Sequence, residues 1–368
     1  MARSSRPSAA AGDLVRQRLP KRRLDDLLRH FRQLHVAVIG DFFLDAYYDC
    51  DAGLNESSLE TGRNCYQVVR TRRQAGAAGT VAANLVALGV GSVSAIGFCG
   101  EDGEGWELRR AMTDLGLQQE GFLSVADRFT PTYAKPCYVE QDGRGWRVCE
   151  ELERIDIKNR QPTPRALQDH LATALDAGIE SWDAVIVVDQ VSEATCGVVT
   201  PRIRRQLRQL SLSHPRTLFL VDSRQRIDRF FGLPIKPNHH EAATALGTRP
   251  ARSVRAAKAQ AQRLSGRTQR PVFLTLSERG MVVCADGESS HVPGFAVVDR
   301  PVDPVGAGDS TTAALVCSLA AGASRLEAAT IANLVGSVTV QQIGTTGAAT
   351  PALVRRRWKE IAHGVSPS

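Results

Sequence analysis

Short apolar segments alternate with helix-like stretches along most of this chain of 368 residues. Continuous apolar segments predict strands that are buried on both faces, and strands that alternate with helices predict βαβ units. The sequence therefore predicts an α/β fold, with a mostly parallel central sheet and helices on both of its faces. The predicted strands include HVAVIGD (35–41), VSAIGFCG (93–100), AVIVVDQ (184–190) and TLFLVDS (217–223).

Two polar segments interrupt this alternation, at about 46–75 and 129–152. Both contain short alternating runs between turn signals, and they predict extra strands that join into one small β-sheet. In open α/β folds, ligands bind in the crevice beyond the carboxyl ends of the strands. The first of these segments follows the strand at 35–41 closely, so we expect the small sheet to cover that crevice as a lid.

The positive charge of the chain is concentrated at its N-terminus. The net charge is +7, of which residues 1–23 carry +6, so the rest of the chain is nearly neutral. This distribution argues against nucleic acid as a partner. The composition of residues 1–23 predicts a disordered basic tail, with an Arg-rich transit peptide as the alternative. Residues 24–362 are expected to form one domain.

Cysteine spacing and apolar run length bear on the cellular compartment. The chain has eight cysteines but no C-x-x-C pair, and several of them lie within apolar segments. This pattern favours reduced thiols and a cytoplasmic protein over a disulfide framework or a zinc site. No apolar run approaches the roughly 18 residues that indicate a membrane span, so no membrane association is expected.

The segment VDPVGAGDSTTA (302–313) combines two glycines with an aspartate at the start of an apolar helical stretch. The amides of Gly306, Ala307 and Gly308 could together form an anion site at the helix N-terminus. Beside such a site, Asp309 suits a base that takes a proton from a hydroxyl while a phosphoryl group is held. A tight turn followed by an N-cap is the alternative interpretation.

Every position from Asp303 to Val316 agrees with the C-terminal signature of the PfkB (ribokinase-like) carbohydrate kinase family, which this segment therefore resembles. The resemblance extends over residues 34–357. It implies a ribokinase-like α/β domain with a β lid, often completed by the lid of a second subunit, and hence a homodimer. It also implies an ATP-dependent phosphotransferase that uses Mg²⁺ and acts on a hydroxyl of a sugar or a sugar phosphate, with Asp309 as the catalytic base.

Other segments match family motifs in the expected order. Asn238 and Glu241, in KPNHHEA, resemble the Asn-x-x-Glu motif that organises magnesium and phosphate, and a helix cap at Asn238 is the alternative. The resemblance implies that Asp45 binds substrate hydroxyls and that Asp303 helps to hold a monovalent cation such as K⁺. The segment TLSERGMVV resembles the strand and turn near the nucleotide, which implies nucleotide contacts for Ser277 and Gly280.

Within the family, the chain most resembles the bacterial heptose-phosphate kinase branch, through GDFFLD (40–45), ELERID (151–156) and residues 320–350. It departs from the family at the sugar-binding signature, where Gly76 is kept but Ala77 and Thr80 replace a glycine and an asparagine. Asn84 lies one helical turn further on and is the substitute substrate contact that we expect. Asp189 matches the heptose branch, but the Tyr-Gly-Lys that should follow does not.

Two features leave the substrate open. If the substrate carries a phosphate, a cation must meet it, and the candidates are Arg70, Arg72, Arg73 and Lys135. A nucleoside kinase of the same fold would need an aromatic platform in the lid, for which the candidates are Tyr47, Tyr48, Tyr66 and Tyr133. A catalytically inactive, nucleotide-binding regulatory relative is disfavoured because the motif residues named above are present. A dehydrogenase is excluded because VIGDFFLD lacks the glycines of a dinucleotide site.

Overall fold

The structure is a computed structural model that describes residues 9–143, 145–295, 297, 301–343 and 346–364. Its strands account for every apolar segment that the sequence analysis predicted to be a strand. The strands are β1 His35–Gly40, β2 Phe42–Cys50, β3 Glu56–Ser57, β4 Asn64–Cys65, β5 Val68–Ala77, β6 Ser92–Gly100, β7 Gln118–Val125, β8 Thr132–Asp142, β9 Gly145–Glu151, β10 Ile155–Ile157, β11 Ala184–Asp189, β12 Leu218–Ser223, β13 Val272–Thr275, β14 Met281–Ala285 and β15 Glu288–Val292.

The central sheet has a parallel part and an antiparallel edge. The parallel part has the order β12-β11-β1-β6-β7. Strands β13, β14 and β15 form an antiparallel meander. Ile235 makes parallel bridges to Val221 of β12 and to Val272 of β13, and so joins the two parts. The predicted mostly parallel sheet is confirmed.

Helices cover both faces of this sheet. Alternate residues of β1 point to opposite faces, so Val36 and Val38 belong to one apolar core while Ala37 and Ile39 belong to the other. The first core includes α3, α9, α10 and α11, and the second includes α5, α6, α7 and α8. The helices are α1 Ala9–Arg18, α2 Lys21–His30, α3 Ala78–Ala87, α4 Gly103–Asp114, α5 Arg165–Gly178, α6 Pro201–Ser213, α7 His239–Leu246, α8 Val254–Thr268, α9 Ala307–Ala320, α10 Arg325–Thr339 and α11 Pro351–His363.

The two polar segments form a second sheet, as expected. Its order is β10-β8-β2-β5. Strand β9 also pairs with β8, further along the strand than β10 does. Strand β2 begins at Phe42, directly after β1 ends at Gly40, so the chain passes from the central sheet into the small one at that point. This connection places the small sheet beside the carboxyl end of β1.

The expectation of a disordered tail is wrong for residues 9–23. Helix α1 spans Ala9–Arg18, and the side chains of Val15 and Leu19 are completely buried. The indole Nε1 of Trp358 in α11 donates a hydrogen bond to the carbonyl oxygen of Leu19, at 2.9 Å. These long-range contacts offset the conformational entropy of ordering the segment, which composition alone does not reveal. Residues 1–8 lie outside the described residues.

The described helices also bear on membrane association. None of them, across the ranges given above, is both long enough and apolar enough to cross a membrane.

Candidate active site

A pocket of about 320 Å³ lies where the carboxyl ends of the central strands face the small sheet. The small sheet contributes side chains from β2 and β8, and the central sheet contributes the segments after β11 and β12. The N-terminal turn of α9 completes the wall. The lining residues are Phe43, Asp45, Ala77, Thr80, Tyr133, Lys135, Arg154, Gln190, Asp222, Arg224, Lys236, Asn238, Glu241, Thr275, Val305, Gly306, Gly308, Asp309 and Thr346.

The Gly-x-Gly segment forms the first turn of α9. Gly306 is the N-cap residue, with φ +75°, a left-handed conformation that favours glycine. The Ala307 amide donates to Pro304 O at 3.1 Å, whereas the amides of Gly306 and Gly308 have no acceptor among the described residues. A Cβ at Gly308 would meet nothing within 4 Å, so this residue borders open pocket space. Two of the three predicted anion-site amides are therefore available to a ligand.

Asp309 lies in the same first turn and lines the pocket. The pKa of its carboxyl is raised to about 7, chiefly by burial and also by the nearby carboxylate of Asp222. The cations Lys236 and Arg224 act in the opposite direction. A carboxyl whose pKa is near neutrality suits proton transfer at neutral pH.

Lys236 and Asp222 form a buried ion pair in the pocket wall. Lys236 Nζ lies 2.9 Å from Asp222 Oδ2, and the two side chains are 3% and 8% exposed. The hydroxyl of Thr312 in α9 donates to the same oxygen, also at 2.9 Å. The pair thus ties the end of β12 both to the segment before α7 and to the helix that carries Asp309.

Asn238 and Glu241 form a capping box at the start of α7. Asn238 Oδ1 accepts hydrogen bonds from the amides of His240 and Glu241, at 2.8 and 2.9 Å. Glu241 Oε2 accepts from the Asn238 amide at 2.7 Å. Both residues also line the pocket, and burial together with Asp222 raises the pKa of Glu241 above its usual range. The capping box therefore holds two side chains with oxygen atoms at the pocket, and the helix cap and a ligand-binding role are compatible.

The other end of the pocket is formed by the small sheet. Lys135 Nζ lies 2.9 Å from Asp45 Oδ1 and donates to the Tyr47 hydroxyl at 3.3 Å. Asp45 and Tyr133 are register partners on β2 and β8. A Cβ at Gly76 would lie 2.7 Å from Asp45 Oδ2, so this glycine leaves the space that Asp45 occupies.

Aromatic rings form an apolar wall beside these charges. Phe43 and Tyr133 meet edge to face, with their centroids 5.0 Å apart. The guanidinium of Arg154 lies over the Tyr133 ring, 4.0 Å from its centroid, and pairs with Asp156 at 2.6 Å. One end of the pocket thus offers a carboxylate, two cations and an aromatic face.

Asp41, at the end of β1, holds the segment after β11. Its Oδ2 accepts from the amides of Gln190 and Val191, and its Oδ1 accepts from the amide of Val198, all at 2.7–2.9 Å. Burial raises the pKa of Asp41 to about 6, and Asp189 contributes to that rise. Because Gln190 lines the pocket, Asp41 helps to position that wall.

Some predicted site residues lie away from the pocket lining. Asn84 does not line the pocket, because its side chain is 1% exposed and its Nδ2 donates to Thr80 O at 2.9 Å within α3, so its role in substrate binding stays a prediction. Thr80 lines the pocket instead. Ser277 and Gly280 form a turn between β13 and β14, with φ +55° and +88°. Neither residue lines the pocket, although the nearby Thr275 does.

The four cations predicted as phosphate ligands differ in where the structure places them. Arg70 and Arg72 both pair with the buried carboxylate of Asp49, at 2.8 Å. Arg73 donates to Tyr47 O and lies over the Tyr48 ring. None of these three arginines lines the pocket, so this geometry does not place them where a bound substrate would lie. Of the four candidates, Lys135 lines the pocket.

Sequence reasoning missed several residues of the site, namely Asp222, Arg224, Lys236 and Arg154. Signals for two of them were present: Asp222 ends an apolar strand, and Lys236 precedes the Asn-x-x-Glu motif by two positions. Arg224 lines the pocket and has no carboxylate partner among the described residues, so it is an available cation. Arg154 lies within ELERID, which resembles the heptose-phosphate kinases, but its stacking against Tyr133 depends on contacts that its own segment does not show.

No group of three or more His, Cys, Asp or Glu side chains within the described ranges could hold a metal ion by itself. Glu241 and Asn238 each present a side-chain oxygen at the pocket, and Mg²⁺ typically binds through one or two carboxylates, several waters and substrate phosphates. Asp303 Oδ1 accepts from the Val305 amide at 3.0 Å, and the Asp303 amide donates to Val340 O at 2.8 Å. Asp303 therefore shapes the segment that leads into the anion site.

Comparison with known proteins identifies relatives over nearly the whole chain. These relatives include several that are named bifunctional protein HldE. The one from Trichlorobacter lovleyi is 29% identical over 340 residues, covering 91% of this chain and 65% of that protein. The one from Caulobacter vibrioides is 30% identical over 332 residues, covering 88% of this chain and 64% of that protein. This chain thus spans about two thirds of the length of these relatives.

Solved structures share the fold. An Arabidopsis thaliana ribokinase complexed with ribose and ATP aligns with a TM-score of 0.64 and 16% identity over 89% of this chain and 99% of that one. Phosphofructokinase-2 from Escherichia coli in complex with potassium aligns with a TM-score of 0.67 and 16% identity over 90% and 100%. The fold is therefore ribokinase-like. The model of the pfkB family of carbohydrate kinases matches residues 33–352, and this chain belongs to that family.

Proposed function

We propose that this chain transfers the γ-phosphoryl group of ATP to a hydroxyl group of a sugar or sugar phosphate. The observation that carries the proposal is the first turn of α9, where the pKa of Asp309 is raised to about 7 beside the available amides of Gly306 and Gly308. A base and an anion site are thereby held on one rigid element, at the floor of a pocket that opens to the small sheet.

The reaction needs a proton acceptor and stabilisation of charge on the transferred group. Asp309 accepts the hydroxyl proton as the hydroxyl oxygen forms a bond to the γ-phosphorus. The bond from that phosphorus to the β–γ bridging oxygen breaks, and ADP leaves with the bonding electrons. The amides of Gly306 and Gly308, together with Lys236 and Arg224, line the same pocket and would stabilise the negative charge on the phosphoryl oxygens.

The cofactors are ATP, Mg²⁺ and K⁺. Mg²⁺ would neutralise charge on the ATP phosphates, and Glu241 and Asn238 would hold it through their oxygen atoms or through water. Both side chains line the pocket and carry oxygen atoms, the type of ligand that Mg²⁺ prefers. Asp303 and neighbouring carbonyl groups would hold K⁺, which would fix the conformation of the segment before α9. The potassium complex of the structurally similar phosphofructokinase-2 supports this assignment.

The acceptor end of the pocket favours a sugar that already carries a phosphate. Asp45 would accept hydrogen bonds from acceptor hydroxyls, and Lys135 and Arg154 would face the acceptor phosphate. Arg154 is partly exposed, at 43%, and its planar guanidinium suits bidentate binding of phosphate. Together with the resemblance to heptose-phosphate kinases, this arrangement makes a heptose phosphate the first acceptor to test.

The small sheet would act as the lid of this site. Its exposed apolar side chains suit a second copy of the chain, so we propose a homodimer through the lid. These side chains are Leu54, Leu59, Tyr66, Val68, Trp146 and Ile155. A small-molecule kinase of this kind would work in the cytoplasm, with neither nucleic acid nor a membrane as partner.

A nucleoside kinase is the second candidate. The edge-to-face pair of Phe43 and Tyr133 offers an apolar surface at the acceptor end, as a base would require. A nucleoside kinase from Burkholderia thailandensis, solved with inosine, also shares the fold, with a TM-score of 0.58 and 18% identity over 90% of this chain and 100% of that one. An inactive nucleotide-binding relative would require loss of function at Asp309 or the anion site, and both are intact here.

The test is ADP release from ATP and Mg²⁺ with a panel of sugars, sugar phosphates and nucleosides. Wild type and Asp309→Asn are compared in parallel. We expect turnover with a sugar phosphate that falls by about 10²–10⁴-fold in the variant, the usual contribution of a general base. Turnover with nucleosides alone would replace the proposal with the nucleoside kinase. Binding of ATP without any turnover would favour the inactive relative.

A further inference from the structure

Ala77 has backbone angles that L-residues rarely adopt. It ends β5 and is the N-cap residue of α3, with φ +53° and ψ −113°. These angles are usual for glycine at a tight corner, and a residue with a Cβ pays about 1–3 kcal/mol to adopt them. The corner is held on both sides, because Ala77 is the register partner of Phe42 and the next amide, of Ala78, donates to Asp41 O at 3.1 Å.

The only side-chain atom of Ala77 lies at the acceptor end of the pocket. Ala77 lines the pocket and packs against the apolar cluster of Phe43, Val191 and Cys196, with Tyr133 beside it. A Cβ at the preceding residue, Gly76, would lie 2.7 Å from Asp45 Oδ2. The methyl group of Ala77 therefore belongs to the part of the pocket wall that also contains Phe43, Tyr133 and Asp45.

A glycine at position 77 would allow the same corner without strain, so the backbone does not require the methyl group. Strain that persists beside a ligand pocket points to a role in binding rather than in folding. We propose that the methyl group of Ala77 is a specificity determinant, which narrows the acceptor end of the pocket and contacts the carbon skeleton of the sugar. This inference rests on the proposed phosphotransferase activity.

The energetics fit such a role. One methylene gained or lost in an apolar pocket changes relative kcat/KM by about 10–200-fold. Removing the methyl group would open space at the acceptor end of the pocket, so the preferred acceptor would lose contacts while an acceptor with one more carbon would gain room. Asp309 and the anion site lie on a different element, so the expected effect of the substitution is on discrimination between acceptors.

The test compares Ala77→Gly with Gln269→Gly. Gln269, the C-cap residue of α8, also has a positive φ, +56°, but it lies outside the pocket lining. Glycine removes the backbone strain at either position, so both variants should be at least as stable as wild type, with Tm higher by up to a few degrees. The acceptors are ribulose 5-phosphate, fructose 6-phosphate and sedoheptulose 7-phosphate, which differ by one carbon each, and the corresponding free sugars.

We expect Ala77→Gly to change the ratio of kcat/KM between the best acceptor and the next larger one by about 10-fold or more, in favour of the larger. Gln269→Gly should leave this ratio unchanged. A wild-type ratio in Ala77→Gly, with turnover intact, would overturn the inference and leave the proposed function standing. Absence of turnover with these acceptors and with the wider panel of sugars and sugar phosphates, in wild type as well, would overturn the proposed function and the inference together.

Discussion

The Nζ atom of Lys236 lies 2.9 Å from Oδ2 of Asp222, in an ion pair that is almost completely buried in the wall of the pocket. Asp222 raises the pKa of both Asp309 and Glu241, and Lys236 lowers the pKa of both. The pair thus sets the charge around the base and around the carboxylate that we assign to Mg²⁺. Removing either partner alone would leave an uncompensated buried charge.

Replacing Lys236 with methionine keeps most of the length of the side chain and removes its charge. We expect Lys236→Met to lower the free energy of unfolding by about 3–5 kcal/mol, because Asp222 is then buried without its cation. Chemical denaturation measures this loss. The double variant Lys236→Met/Asp222→Asn removes both charges and should recover much of the stability, but not phosphoryl transfer. Full activity in the double variant would contradict a role for this pair in the reaction.

Substitutions at Gly306 and Gly308 distinguish an effect on anion binding from an effect on protein stability. Alanine at position 308 has open space, since no atom lies within 4 Å of the Cβ position, so Gly308→Ala should fold normally and place a methyl group where phosphate approaches. We expect its KM for ATP to rise or its kcat to fall by about 10-fold or more. Gly306→Ala should lose stability as well, because φ is +75° and its Cβ would lie 3.3 Å from Thr346 Cβ. Steady-state kinetics and thermal melts distinguish the two results.

Gly76 provides a test of the acceptor end alone. A Cβ at this position would lie 2.7 Å from Asp45 Oδ2, so Gly76→Ala must displace the Asp45 carboxylate. We expect KM for the acceptor to rise by about 10-fold, equivalent to about 1.4 kcal/mol, while KM for ATP stays within twofold. Gly103→Ala is a suitable control, since its Cβ would meet nothing within 4 Å. An equal rise in both KM values would contradict the assignment of Asp45 to the acceptor.

The raised pKa of Asp309 makes a prediction for pH dependence. Below about pH 7 the carboxyl is protonated and cannot accept the hydroxyl proton, so kcat/KM should fall tenfold per pH unit on the acid side. Because the folded state holds this proton more tightly than the unfolded state, the contribution of Asp309 to stability is lost as pH rises towards about 7. Thermal melts should therefore show Asp309→Asn gaining in Tm relative to wild type between about pH 5 and pH 8. A constant difference across that range would contradict the shift.

The sequence predicted the parallel part of the fold because its strands are buried on both faces and so appear as continuous apolar segments. It did not reveal the antiparallel edge, since the turn from β13 to β14 depends on positive φ angles at Ser277 and Gly280. It also did not reveal the order of α1. Val15 and Leu19 are four positions apart on the chain, but their burial depends on packing against α11, which is more than 300 residues away.

The same division applies to the site. The turn that carries Asp309 and the capping box at Asn238 are local in sequence, so spacing together with the family resemblance predicted residues that the structure brings to one pocket. Ion pairs across strands are not local. Arg70 appeared to be a free cation because nothing in its own segment shows that Asp49 is its register partner on β2. Asp222 and Lys236 are likewise brought together only by the sheet.

The most direct test of the central claim is ³¹P NMR of wild type and Asp309→Asn with MgATP and the best acceptor. For wild type, we predict a new phosphomonoester signal that grows in step with ADP, without a matching rise in inorganic phosphate. In Asp309→Asn the signal should grow about 10²–10⁴ times more slowly while ATP still binds. ADP that forms only together with inorganic phosphate, or an Asp309→Asn variant as fast as wild type, would contradict phosphoryl transfer to a sugar hydroxyl with Asp309 as its base.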